Sequence, residues 1–118
     1  MPILNPLRKK QFKLLAEDIK ELIKPIGSCI ASDMITVDGL KIGYMYREEP
    51  NFLADSGWRF FAGTEEQDYV DNPNNLMFYD VNTIANYDPA IIPYLQFEVG
   101  CELERGNDNS FVVIKGSS

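Results

Sequence analysis

The chain has 118 residues, 45% of them hydrophobic and 25% charged, which is the composition of one globular domain and excludes an intrinsically disordered chain. It contains no histidine, which excludes histidine-based catalytic triads and removes the commonest zinc ligand. The net charge is −7, but residues 1–24 hold six bases and three acids, so the remaining 94 residues carry −10.

The number of cysteines and the length of the apolar runs indicate the cellular compartment. Cys29 and Cys101 are the only cysteines, too few for a four-thiolate metal site or a disulfide framework, and we expect reduced thiols. The first residues lack the continuous apolar run of a signal peptide, and no stretch approaches 18 apolar residues. We therefore expect a cytoplasmic protein.

The first 26 residues are predicted to form an amphipathic helix. Asn5 can cap it ahead of Pro6, and Pro25 marks its end. Apolar residues recur at three- and four-residue steps, at Phe12, Leu15, Ile19, Leu22 and Ile23. We expect this stripe to pack on a sheet; a membrane-surface helix is the alternative, but the helix also carries three acids.

After this helix, the apolar residues recur at every second position, which is typical of β-strands. Residues 28–34 and 40–47 are predicted strands, and the Asp38-Gly39 pair between them predicts a hairpin. Residues 58–62 are typical of a short aromatic strand, and Thr64 can cap a short helix that ends before Pro73.

Strand and helix signals alternate in the last third. Residues 76–79 predict a strand, followed by helical turns that begin near Asp80 or Asn82 and again at Asp88-Pro89. Residues 97–104 alternate apolar side chains with an acidic, solvent-facing set, and residues 110–115 predict the strand that closes a hairpin.

These elements predict an α+β fold in a single domain, residues 1–118. An N-terminal amphipathic helix (1–26) would pack on a mainly antiparallel sheet of about five or six strands, with short helices inserted in the middle. The last part, residues 105–118, would supply the closing hairpin strand and a tail.

Acidic residues dominate the middle of the sequence. Between positions 48 and 88 there are nine acids and a single base, Arg59. Such a surface repels nucleic acid and attracts a basic protein, although it can equally serve solubility. The candidate residues for electrostatic steering are Glu48, Glu49, Asp55, Glu65, Glu66, Asp68 and Asp71.

Catalytic and cofactor sites are not indicated. The carboxylates between Glu65 and Asp71 are more typical of a solvated first helical turn than of an acid–base pair. The oxygen-rich loop 71–75 lacks the spacing of an EF-hand, and the glycines lack the spacing of a phosphate-binding loop. We therefore expect neither an enzyme nor a cofactor or bound metal.

Aromatic residues offer two further hypotheses. Trp58 and Arg59 either fill the core and neutralise neighbouring carboxylates, or form with Tyr69 an exposed anchor in an acidic interface. Alternatively, a small-ligand-binding or regulatory domain would have a pocket lined by Tyr44, Tyr46, Trp58 and Tyr79.

Three motifs occur in order along the chain: KIGYMYREEP at 41–50, DSGWRF at 55–60 and NTIANYDP at 82–89. With them, residues 27–104 resemble a bacterial domain of unknown function that is also classed among polymorphic-toxin immunity proteins, as immunity family thirty-three. This resemblance implies a small cytoplasmic domain without known catalysis that binds a cognate toxin. It supplies no catalytic residues, and neither the toxin nor the oligomeric state can be read from it.

Overall fold

The computed structural model describes residues 10–116 and places six strands in one sheet. The strands are β1 (Ser28–Ser32), β2 (Tyr44–Arg47), β3 (Asp55–Phe61), β4 (Leu76–Asp80), β5 (Glu102–Arg105) and β6 (Phe111–Lys115). The α-helices are α1 (Asp33–Thr36), α2 (Gln67–Asp71) and α3 (Val81–Tyr87), and 3-10 helices span Ala16–Asp18, Pro73–Asn75 and Pro89–Tyr94.

The strand order is β4-β1-β3-β2-β5-β6, and every neighbouring pair is antiparallel except β1 and β3. The predicted α+β class, the six strands and the short helices in the middle of the chain are confirmed. The sheet is mixed because β1 lies between β3, a parallel neighbour, and β4, an antiparallel one.

The predicted hairpin between residues 28–34 and 40–47 is wrong. Strand β1 runs directly into α1, whose first turn is capped where the Ser32 hydroxyl accepts a hydrogen bond from the Met34 amide, 3.1 Å away. Gly39 then follows the helix at a φ of 80°, with its amide donating to the Ile35 carbonyl. The Asp38-Gly39 pair therefore ends a helix, a role for which glycine at positive φ is equally suited.

The predicted N-terminal helix is also wrong over the residues that the structure describes. Residues 10–26, here called the N-terminal strap, form no α-helix and contain only one 3-10 turn and a few bends. Their backbone groups bond to other elements: the amides of Lys20 and Leu22 donate to the side chains of Asn86 and Asn82 on α3, at 3.0 and 2.8 Å. The predicted start of the helix, Asn5 and Pro6, lies outside the described residues.

The 97–104 strand was predicted too long, because β5 begins only at Glu102. Residues before it turn instead: the Phe97 amide donates to Tyr94 and the Cys101 amide to Glu98. The hairpin of β5 with β6 is confirmed.

Helices cover one face of the sheet. Alternate residues of the strands point to that face, and Met45, Phe60 and Leu103 are fully buried there beside Ile84 of α3 and Ile91 of the 3-10 helix. The other residues of the same strands therefore point to the opposite face, where the candidate site lies.

Candidate functional site

The face of the sheet opposite α3 carries a cluster of aromatic side chains. Tyr44 and Tyr46 of β2 lie beside Phe61 of β3, with the rings of Tyr46 and Phe61 stacked at 6.1 Å and an interplanar angle of 3°. The ring centroids of the two tyrosines are 5.7 Å apart. We call this surface, formed by Tyr44, Tyr46, Phe61, Glu102 and Glu104, the open face.

Carboxylates from β5 border the aromatic cluster. The register pairs Tyr44 with Glu104 and Tyr46 with Glu102, so both acids lie on the open face. The Tyr44 hydroxyl donates a hydrogen bond of 2.9 Å to Glu102, while Glu104 is exposed. Burial, together with the hydrogen bond to Glu102 and its charge, raises the pKa of Tyr44 above its ordinary value, so this phenol stays protonated at neutral pH.

A groove of about 540 Å³ opens on this surface. Tyr44, Tyr46 and Phe61 form part of its lining, which also includes Val70 of α2 and the charged residues Glu65, Glu104 and Arg105. The base among them, Arg105, is paired with Asp88. The groove therefore combines aromatic rings with a carboxylate, a lining suited to a cationic group.

Trp58 and Arg59, the proposed anchor residues, are both buried. Trp58 stacks on Phe60 at 5.9 Å, and its indole nitrogen donates to the Leu95 carbonyl at 3.1 Å. Arg59 is 1% exposed. The exposed-anchor interpretation therefore does not hold in this structure, because Trp58 packs in the core and the Arg59 side chain is enclosed by its carboxylate partners.

Arg59 neutralises two of the predicted acidic residues. Its terminal nitrogens donate to both carboxylate oxygens of Asp55, at 2.9 and 2.7 Å, and its Nε donates to Glu48 at 2.6 Å. The hydrogen bonds from Arg59 hold the pKa of Asp55 well below its usual range, against the opposing effect of burial. Asp55 is buried and Glu48 exposed, and Glu49 next to it is exposed.

Glu65 has a structural contact of its own. Its two carboxylate oxygens accept hydrogen bonds from the amides of Ala62 and Gly63, at 2.8 and 2.9 Å. This carboxylate therefore fixes the turn that follows β3 and is less available to a partner than its sequence neighbours.

The remaining predicted acids lie on or beside α2. Glu66, Asp68 and Asp71 are exposed, and Tyr69 between them is half-buried. Burial raises the pKa of Tyr69, the charges of Asp33, Asp38 and Glu65 raise it further, and a hydrogen bond with Ser32 opposes them. We call Glu66, Asp68, Tyr69 and Asp71 the α2 patch.

The predicted acidic residues thus form two groups instead of one surface. Glu48, Glu49 and Asp55 lie at the beginning of β3, whereas the α2 patch follows its end, and seven residues of strand span about 20 Å. The open face, which lies between these groups, adds Glu102 and Glu104, which were not among the predicted site residues. The acidic alternation in residues 97–104 was the signal that could have identified them.

The predicted pocket of four aromatic residues does not form. Tyr44 and Tyr46 lie on the open face, whereas Trp58 and Tyr79 lie on the side of the helices. The Tyr79 hydroxyl is 3.0 Å from the Thr36 hydroxyl, and burial raises the pKa of Tyr79 to about 12.

Residues 10–116 show neither a metal-binding cluster nor a membrane-spanning helix. Within that range no group of three or more cysteine or acidic residues is arranged to hold a metal ion. No helix in the same range has the length and apolarity needed to cross a membrane. Cys29 and Cys101 are free thiols, both buried.

Comparison with protein families gives one match. A family model described as the Immunity protein Imm33 domain matches residues 29–115, which include the described sheet from its first strand to its last. Comparisons with curated proteins and with solved structures find no match for this chain.

Proposed function

The chain belongs to the Imm33 immunity protein family, and on that premise we propose that it neutralises a cognate bacterial toxin by binding and occluding it. In this proposal the chain is not an enzyme and needs no cofactor. It acts in the cytoplasm, and its acidic residues attract a basic surface of the toxin.

The family match carries this proposal, and the charge distribution supports it. Residues 48–71 hold seven acids and one base, and that base is buried against two of the acids. The exposed acids of the α2 patch form no such ion pair within residues 10–116. A negative surface of this kind accelerates the encounter with a positively charged protein and repels nucleic acid.

A small-ligand-binding or regulatory domain is the second candidate, and the groove on the open face favours it. Its volume of about 540 Å³ lies within the range typical of small-molecule sites. A small ligand that binds there, in a chain that does not bind the toxin domain, would favour this second candidate over the first.

The proposal predicts that a gene adjacent to that of this chain encodes a toxin domain, and the test is a binding titration against that domain. We expect the double variant Glu66→Lys/Asp68→Lys to raise the dissociation constant by about tenfold or more, because it replaces attraction with like-charge repulsion. The matched control, Glu17→Lys/Glu21→Lys, makes the same change in charge on exposed positions of the N-terminal strap and should bind as the wild type does.

Two results would contradict the proposal. Unaltered affinity in Glu66→Lys/Asp68→Lys would remove the α2 patch from the mechanism. Failure of the wild-type chain to bind the toxin domain, or to protect cells that express it, would contradict the function itself.

A further inference from the structure

We propose that the toxin docks on the open face of the sheet and that the groove there receives a lysine or arginine side chain of the toxin. This inference rests on the proposed function and assigns it a surface other than the one that the sequence suggested.

The first support is that this face is aromatic although, among residues 10–116, neither α3 nor the 3-10 helix Pro89–Tyr94 packs on it and α2 only borders its groove. On the other face, α3 and the 3-10 helix Pro89–Tyr94 bury the core side chains completely. A solvent-facing sheet surface is ordinarily polar, whereas this one carries the half-buried aromatic side chains of Tyr44 and Tyr46. Tyrosine is enriched in protein interfaces because it combines a large apolar area with a hydroxyl and loses little conformational entropy.

Exposed aromatic rings also occur at the far edge of the same face. The strand registers align Tyr46 with Arg59, Arg59 with Ile30, and Ile30 with Phe78 on the edge strand β4. Phe78 is 54% exposed and contacts the ring of Phe52, which is 46% exposed. A partner that covers the groove and also reaches β4 would therefore meet these two exposed rings beyond the buried, ion-paired Arg59.

The second support is charge complementarity. Glu65 and Glu104 line the groove and Glu102 lies beside it on the open face, while Arg105, the base in the lining, and the nearby Arg59 are already engaged. Arg59 is enclosed by Asp55 and Glu48, and Arg105 donates to Asp88, to Asn109 and to the Ile42 carbonyl. Lys115 is the remaining base beside Glu102, 69% exposed and 4.0 Å from it. Glu104 is exposed and lies in none of the ion pairs of the described residues, so it gives the groove a negative charge that a partner can neutralise.

Aromatic rings and carboxylates together select a cationic side chain. An ammonium or guanidinium group is attracted by the face of an aromatic ring, and more strongly where water is excluded. A guanidinium group can also stack on a ring while it donates hydrogen bonds to a carboxylate. A side chain that fills a central pocket in this way is the typical hot spot of a protein interface.

The experiment compares two single variants with a matched control, again using the toxin domain encoded by the adjacent gene. Glu104→Lys should raise the dissociation constant by about tenfold or more, because it places a positive charge beside the incoming cation. Tyr46→Leu retains apolar bulk but removes the aromatic ring, and should weaken binding by about threefold or more. Glu21→Lys, the same type of change on the N-terminal strap, should leave the dissociation constant unaltered.

A second measurement keeps the test valid if either variant folds poorly. In the wild-type chain, the NMR signals of the Tyr44 and Tyr46 rings should shift when the toxin domain is added. The ring of Tyr94, whose hydroxyl accepts a hydrogen bond from the Phe111 amide and which packs against the core, should not shift.

The outcomes separate this inference from the proposed function. If the wild type binds the toxin but Glu104→Lys binds equally well and neither tyrosine signal shifts, the open face is not the docking surface and the proposed function stands. If the wild type does not bind the toxin at all, the proposed function fails and this inference fails with it.

Discussion

The side chain of Arg59 illustrates how a charged residue in a strand can be structural. Three of its hydrogen bonds go to carboxylate oxygens of Asp55 and Glu48, and a fourth goes to the Trp58 carbonyl at 3.0 Å. The side chains of Arg59 and Asp55 are 1% and 0% exposed. At such burial, a pair is retained only when each charge is fully compensated, which the bidentate geometry achieves.

Replacement of one partner should therefore be costly. We expect Asp55→Asn to reduce the free energy of unfolding at pH 7 by about 3–5 kcal/mol, because Arg59 keeps a buried charge without its main counter-charge. Urea denaturation measures the change, and Glu49→Gln is the control, because Glu49 is an exposed acid near the same end of β3. Equal stability of the two variants would contradict the structural role of this pair.

The same pair predicts how stability depends on pH. Because folding lowers the pKa of Asp55, its contribution to stability is fully present above its unfolded pKa of about 3.9 and is lost as the pH falls toward the folded value. The difference between wild type and Asp55→Asn should therefore shrink as the pH falls below about 4.

At the scale of elements, the N-terminal strap is held by two asparagines instead of by its own helical hydrogen bonds. Asn82 accepts from the amides of Leu22 and Ile23 at 2.8 and 3.2 Å, and donates to the Lys20 carbonyl at 2.8 Å. Asn86 both accepts from the Lys20 amide and donates to its carbonyl. These side-chain amides take the place of a backbone partner strand.

Loss of one asparagine should loosen the strap without unfolding the sheet. We expect Asn82→Ala to accelerate amide hydrogen exchange at Leu22 and Ile23, with a loss of stability of about 1 kcal/mol. Asn107→Ala, in the exposed turn before β6, should leave those amides as they are in the wild type. Unaltered exchange at Leu22 in Asn82→Ala would show that this contact does not hold the strap.

These elements also show what a sequence can and cannot predict. Two-residue alternation identified most strands, because it reflects which side of each strand is buried. It could not identify the partners of β1, since the choice between a hairpin with β2 and a parallel pair with β3 depends on residues far apart in the chain. The helix predicted from the apolar stripe at residues 12–23 is wrong for a similar reason. Side chains of α3, which is far away in the chain, supply hydrogen bonds that the backbone would otherwise make within a helix.

The candidate site was predictable in composition but not in arrangement. The excess of acids between positions 48 and 71 is plain from the sequence, and the exposed α2 patch agrees with it. The burial of Trp58 and Arg59 depends on the core that packs around Trp58 and on the carboxylates that enclose Arg59. The open face brings together β2, β3 and β5, and no local pattern places those three strands side by side.

At the scale of the whole molecule, the two faces of the sheet differ in charge as well as in the elements that pack on them. The N-terminal strap, with Lys10, Lys13, Lys20 and Lys24, bonds to the helices on the covered side, for example where Lys10 pairs with Asp33 at 2.9 Å. The open face and the α2 patch carry acids. A basic partner should therefore be oriented toward the open face before any contact forms.

The rate of association is the measurement that tests this orientation. We expect the association rate constant with the toxin domain to fall about tenfold or more between roughly 50 and 500 mM salt, while dissociation changes less, because screening acts mainly on the long-range encounter. The Glu66→Lys/Asp68→Lys variant should show a shallower dependence on salt, since it removes part of the attracting charge. If association were equally fast at both salt concentrations, the acids would serve solubility alone, and binding would have to rest on the aromatic part of the open face.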